Sequence, residues 1–146
     1  MNKTQHYLQG QWHDGEGDGV LIHDAVTGEA FTSIAMGGLD VAGALQYGRE
    51  KGDVLRKMTF QERGMMLKKL AMYLTKRKEA FYELSYRSGA TRVDSWIDIE
   101  GGFGNLFANA SLRKLFPNQS YHVEGDPIDL SRGGRFMAHH IMVPRR

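Results

Sequence analysis

The 146-residue chain has no cysteine. That excludes disulfides, thiolate metal sites and a thiol nucleophile within these residues. Proline is scarce, at three residues, so no proline-rich linker divides the chain. No apolar run approaches the roughly 18 residues of a membrane span, and the polar opening, residues 1–6, lacks the apolar centre of a signal peptide. These absences predict a cytoplasmic protein with no membrane contact. Charge of one sign is missing too. Nineteen Lys and Arg against 17 Asp and Glu leave a net +2, too weak a field to attract nucleic acid or an anionic surface.

Glycine is plentiful instead, at 18 residues, which points to tight turns and close backbone approaches. Apolar content of 41% and charged content of 25% fit one globular domain. Residues 7–12 alternate roughly apolar and polar, as a half-exposed strand does. An acidic glycine turn follows at residues 14–19. Residues 20–24 and 29–34 read as strands joined by Thr27-Gly28, so residues 1–35 are expected to form an antiparallel β-meander.

Helical patterning starts near Asp40, which can offer its carboxylate to a first turn. Val41, Leu45 and Gly48 lie on one stripe, and Gly52 is expected to stop the run. Thr59-Phe60-Gln61-Glu62 is a capping box. Behind it Met66, Leu67, Leu70, Ala71 and Leu74 recur at spacings of three and four, a face for a core. Phe81 and Leu84 extend the stripe through a second helix that Gly89 can end in the left-handed conformation. A third helix is expected from about Asp94 to Lys114, with Trp96, Ile97, Phe103, Leu106 and Phe107 as its apolar residues. After Pro117, residues 121–130 and 136–143 read as strands around Gly133-Gly134. The predicted class is α+β: an N-terminal β-meander (1–35), three or so helices (36–116) and a C-terminal two-stranded β arm (117–146), all one incomplete domain.

Several clusters invite chemical readings. Asp14, Glu16, Asp18 and Gly19 match the start of a calcium loop, but Ala25 stands where a bidentate glutamate is needed. A hairpin turn is the better reading. Gly101-Gly102-Phe103-Gly104 follows no strand, so it is not a dinucleotide fingerprint, and close helix packing is its expected role. His139 and His140 point to opposite faces of a strand and cannot share an ion. His6, His13, His23 and His122 show no ligand spacing. Ser33, Ser85, Ser95 and Ser131 lack a nucleophile context. Asp94 and Asp98 share a helix face and form a candidate carboxylate pair, with a solvated face as the simpler reading. Lys68-Lys69 and Lys76-Arg77-Lys78 lack the interleaved aromatics of a nucleic-acid surface. Catalytic, cofactor-binding and metal-binding residues are therefore all expected to be absent.

A family resemblance adds to this. Gly10-Gln11-Trp12, Asp24-Ala25-Val26-Thr27-Gly28-Glu29, Leu39-Asp40-Val41-Ala42-Gly43-Ala44, Glu62-Arg63 and Ser88-Gly89-Ala90-Thr91 resemble the N-terminal part of the aldehyde dehydrogenase superfamily. Asp24 and Ala25 depart from the usual Asn-Pro. The run from Ser88 to Gly102, then Leu106-Phe107-Ala108-Asn109-Ala110-Ser111, Leu130-Ser131-Arg132 and His140-Ile141-Met142-Val143-Pro144, resembles the phenylacetate-degradation branch, the bifunctional aldehyde dehydrogenase and enoyl-CoA hydratase type.

The resemblance implies a parent oxidoreductase that oxidises a CoA-linked semialdehyde, with NADP or NAD taking the hydride. The family's nucleophilic cysteine, its base and its nucleotide fold lie outside the matched region, so no catalytic residue carries over and this segment alone is expected to be structural. The family also implies a homo-oligomer through the strands at 121–143. The alternatives are a free-standing oligomerisation or binding module, or a segment of a benzoyl-CoA-pathway semialdehyde dehydrogenase. An enzyme built on Asp94 and Asp98 is the least favoured. Arg145-Arg146 reads as a protease stop.

Overall fold

A computed structural model describes residues 3–144; Arg145-Arg146 lies outside them. The class is α+β, with six short strands in three two-stranded antiparallel sheets, five α-helices and a 3-10 turn among the described residues. The chain divides into two compact units. The first holds residues 1–51 with 73–103, and the second holds 52–72 with 104–146.

In the first unit, β1 (His6–Leu8) and β2 (Gln11–His13) form a hairpin. This corrects the single strand expected at 7–12. Gln9 and Gly10 both take positive φ, 52° and 83°, the signature of a tight primed turn. The turn folds the alternating segment back on itself and brings the rings of Tyr7 and Trp12 to 5.0 Å. β3 (Val20–His23) pairs with β4 (Ala30–Ile34) around the expected Thr27-Gly28 turn. The N-terminal β layer is thus two hairpins, with Lys3 bridged to Ser33 beside them.

α1 (Val41–Lys51) begins where Asp40 accepts the Gly43 N–H at 2.8 Å. Its Val41 and Leu45 stripe is exposed rather than packed. α1 stops at Lys51, just before Gly52 as expected; Gly52 itself keeps helical dihedrals and leads into the short α2 (Asp53–Lys57). α4 (Lys78–Tyr86) stops three residues before Gly89, which takes the expected left-handed conformation at φ 82°. Its buried residue is Tyr82, while the expected Phe81 and Leu84 are exposed.

α3 (Phe60–Thr75) and α5 (Arg92–Ser111) supply residues to both units. The Thr59 capping box is formed in both directions: Glu62 N–H donates to Thr59 Oγ1 at 3.2 Å, and Thr59 N–H donates to Glu62 Oε2 at 2.8 Å. Thr91 and Asp94 do the same for α5. In the second unit the 3-10 turn Leu112–Leu115 leads to Phe116, stacked on Phe60 at 4.5 Å. The arm follows as β5 (His122–Asp129) and β6 (Met137–Met142), with a bulge between Glu124 and Ile128 where Gly125 takes φ 68°.

Little of the apolar content is covered. Among the described residues the buried apolar side chains are Ala35, Ala71, Tyr82 and Ala110, and the largest fully buried side chain is Ser95.

Candidate functional site

The turn 24–29 and the end of α4 form the most elaborate polar cluster in the first unit. Asp24 Oδ1 accepts the N–H groups of Val26 and Thr27 at 2.9 and 3.1 Å. Arg87 Nη1 lies 3.7 Å from Asp24 Oδ2, its guanidinium lies 4.9 Å from the Phe31 ring centre, and its backbone carbonyl accepts Ala25 N–H. The two backbone N–H groups, with help from Arg87, hold the Asp24 carboxyl below its ordinary range against partial burial. A cavity of about 650 Å³ opens beside it, with Glu83 and Tyr86 on its wall. A carboxylate that accepts two backbone N–H groups and is kept ionised is a poor proton acceptor. The cluster anchors the β3–β4 turn to α4.

A second network joins α4 to α5. Glu100 Oε1 accepts from Lys78 Nζ at 3.0 Å and from buried Tyr82 Oη at 2.9 Å. These two hydrogen bonds hold the Glu100 carboxyl below its ordinary range, whereas burial and the bond to Glu100 raise the Tyr82 phenol. Ser85 and fully buried Ser95 share a hydroxyl contact at 2.9 Å. Asp94 and Asp98 are the carboxylates the sequence pairs on this helix, with Glu100 within two turns of them; the network instead uses Glu100, and its partner Tyr82 is not expected from the sequence. The available signal was their placement: Lys78 and Tyr82 are four apart on one face of α4, opposite a helix carrying a single central glutamate.

The acidic glycine loop is a turn, not an ion cradle. Buried Gly15 packs so close to Ala35 O that a Cβ there would overlap it, and Glu16 N–H donates to Gly37 O. Asp14 accepts from Gln5 instead of converging with Glu16 and Asp18. Among the described residues no group of three His, Asp or Glu side chains is placed to hold a metal. Asp94 serves the α5 cap, bonding Thr91 Oγ1 at 2.6 Å, and so is not free to act as a catalytic pair with Asp98. His140 pairs across the arm with Glu124, while His139 alternates to the other face. Ser131 Oγ accepts the Arg135 and Phe136 N–H groups in the arm turn. The basic cluster is dispersed: Arg77 lies 3.6 Å from the Tyr73 ring centre and Lys78 is bound to Glu100.

Gly101, Gly102 and Gly104 correct the packing expectation. A Cβ at each would meet nothing within 4 Å. They also lie inside α5, where backbone N–H groups are spent on the helix. The start of α5 is already occupied by the Asp94 carboxylate. These residues therefore do not fit a dinucleotide phosphate.

No family model matches the chain. The chain is 32% identical over 144 residues to the 3,4-dehydroadipyl-CoA semialdehyde dehydrogenase of Aromatoleum evansii. The match takes in 97% of this chain and 28% of that relative's length. The resemblance to CoA-linked semialdehyde dehydrogenases, read from the residues, is therefore borne out. No helix among the described residues is long and apolar enough to cross a membrane.

Proposed function

We propose that this chain is the structural N-terminal segment of an NAD(P)-dependent aldehyde dehydrogenase that oxidises a CoA-linked semialdehyde in aromatic catabolism. The observation that carries the reading is surface. The chain exposes 11201 Å², whereas a self-contained globule of its 16.5 kDa would expose about 7,500 Å². Two separate globules built from its two units would still expose only about 9,100 Å². Large apolar side chains are among the exposed groups, with Trp96 57% and Phe136 70% exposed. An apolar surface of this extent is a covered surface in the working protein.

The reaction of such a parent needs a thiolate to attack the aldehyde, a base to activate water and donors to hold the oxyanion. This chain has no cysteine, and its two carboxylates held well ionised are tied to turn and helix partners. The chain's own contribution is then to shape and cover the larger protein, in a cytoplasmic setting. A second reading, a self-associating module, draws on the arm. It is a two-stranded sheet whose Ile128, Met137 and Ile141 are exposed, and a free strand edge pairs readily with another chain.

Complementation tests the first reading. The A. evansii dehydrogenase, deleted for the matched segment, is co-expressed with this chain and assayed for NAD(P)-dependent oxidation of its CoA semialdehyde. Activity should be absent from either part and recovered in the pair. Turnover by this chain alone would sink the proposal, as would a pair no more active than the deleted enzyme.

A further inference from the structure

The second unit holds a cavity of about 260 Å³ with no acidic residue on its wall. Phe60, Leu67 and Phe116 supply its apolar lining, and Arg63 and Arg113 stand on it. Each guanidinium is held in place. Arg63 lies 4.7 Å from the Phe60 ring centre, and Phe60 is itself stacked on Phe116. Arg113 Nη1 donates to Ala110 O at 2.7 Å at the end of α5. Buried Gly64 lets α3 approach so closely that a Cβ there would stand 2.7 Å from Arg113 Cβ and Cδ. Among the described residues neither arginine pairs with a carboxylate. An arginine has five donors in a rigid fork suited to planar anions. The bond to Ala110 leaves most of the Arg113 fork unspent.

We infer that this cavity binds a small organic anion, a carboxylate carried on a flat apolar body, with Arg63 and Arg113 taking the charge and the Phe60–Phe116 pair taking the ring. Positive charge over an apolar floor favours such a molecule over a bare inorganic anion, which would leave the floor unused. All its residues are in this chain, so the site is tested on the chain itself.

Amide-resolved NMR titration of the full 146-residue chain tests it, with benzoate as the probe and inorganic phosphate as the comparison. Benzoate should shift the Gly64, Asn109 and Arg113 amides saturably and bind at least about tenfold more tightly than phosphate. Arg63→Gln should weaken benzoate by about tenfold or more, since a hydrogen bond to a charged group is lost. Arg63→Lys should weaken it less. Lys68→Gln, which alters an exposed lysine on the same helix, should leave it unchanged. Because Arg113 also caps α5, Arg113→Gln is read only if its circular dichroism is native, and the Arg63 pair carries the test otherwise. Absence of saturable benzoate shifts would overturn the inference. So would unchanged binding by Arg63→Gln, or phosphate binding as tightly as benzoate.

Discussion

Glu100 shows how one side chain can join two helices by polarity where apolar packing is thin. It receives Lys78 and the phenol of Tyr82, and its carboxyl is held below the ordinary glutamate range by those two bonds. A depressed carboxyl stabilises the fold fully above the unfolded glutamate value and loses that contribution as pH falls through the folded one. Thermal melts should therefore fall on acidification below the ordinary glutamate range. Glu100→Gln should lower the melting temperature at neutral pH and flatten this acid response, with Asp24 retaining its own share. Equal acid slopes in the two proteins would refute it. Thr91 is a second single-residue test. It accepts Asp94 N–H as the α5 cap, so Thr91→Ala should cost about 1 kcal/mol in urea unfolding.

Among the elements, α5 combines a well-formed cap with an unpartnered face. Trp96 and Ile97 are exposed, and the glycines at 101, 102 and 104 face open space. Gly101→Ala and Gly102→Ala should therefore stabilise the isolated chain by about 0.5–1 kcal/mol each, since only the helix cost of glycine is removed. Calorimetry on both variants would check the sign. Gly64 is the opposite case. It is buried against Arg113 and Ala110 O, so Gly64→Ala should destabilise by roughly 1–3 kcal/mol through overpacking. Helical glycines in one sequence can thus carry opposite signs.

At the scale of the whole molecule, a covering surface is what the chain lacks. With Ala35, Ala71, Tyr82 and Ala110 as its buried apolar residues, it has too little core to absorb the apolar area its helices display. The isolated chain should bind a hydrophobic dye strongly and self-associate as concentration rises, by light scattering. Ile141→Lys in β6 should reduce that association if the arm carries it, whereas a compact monomer with little dye binding would count against the reading.

Local chemistry was legible in the residues because each feature depends on neighbours in sequence. The capping box at Thr59 and Glu62, the left-handed Gly89, the Thr27-Gly28 turn and the two arm strands all fall within a few residues of their signals. The absence of cysteine likewise needs no fold to be decisive. Helical periodicity marked apolar stripes, but a stripe says only that a face is apolar, not that anything covers it; of the stripe expected to face a core in α3, Ala71 is buried while Met66 and Leu70 are exposed. Only the tertiary structure showed that Val41, Leu45 and Trp96 remain exposed. It alone paired Tyr82 with Glu100 across two helices. Those outcomes turn on which distant groups meet, and spacing along one chain does not encode that.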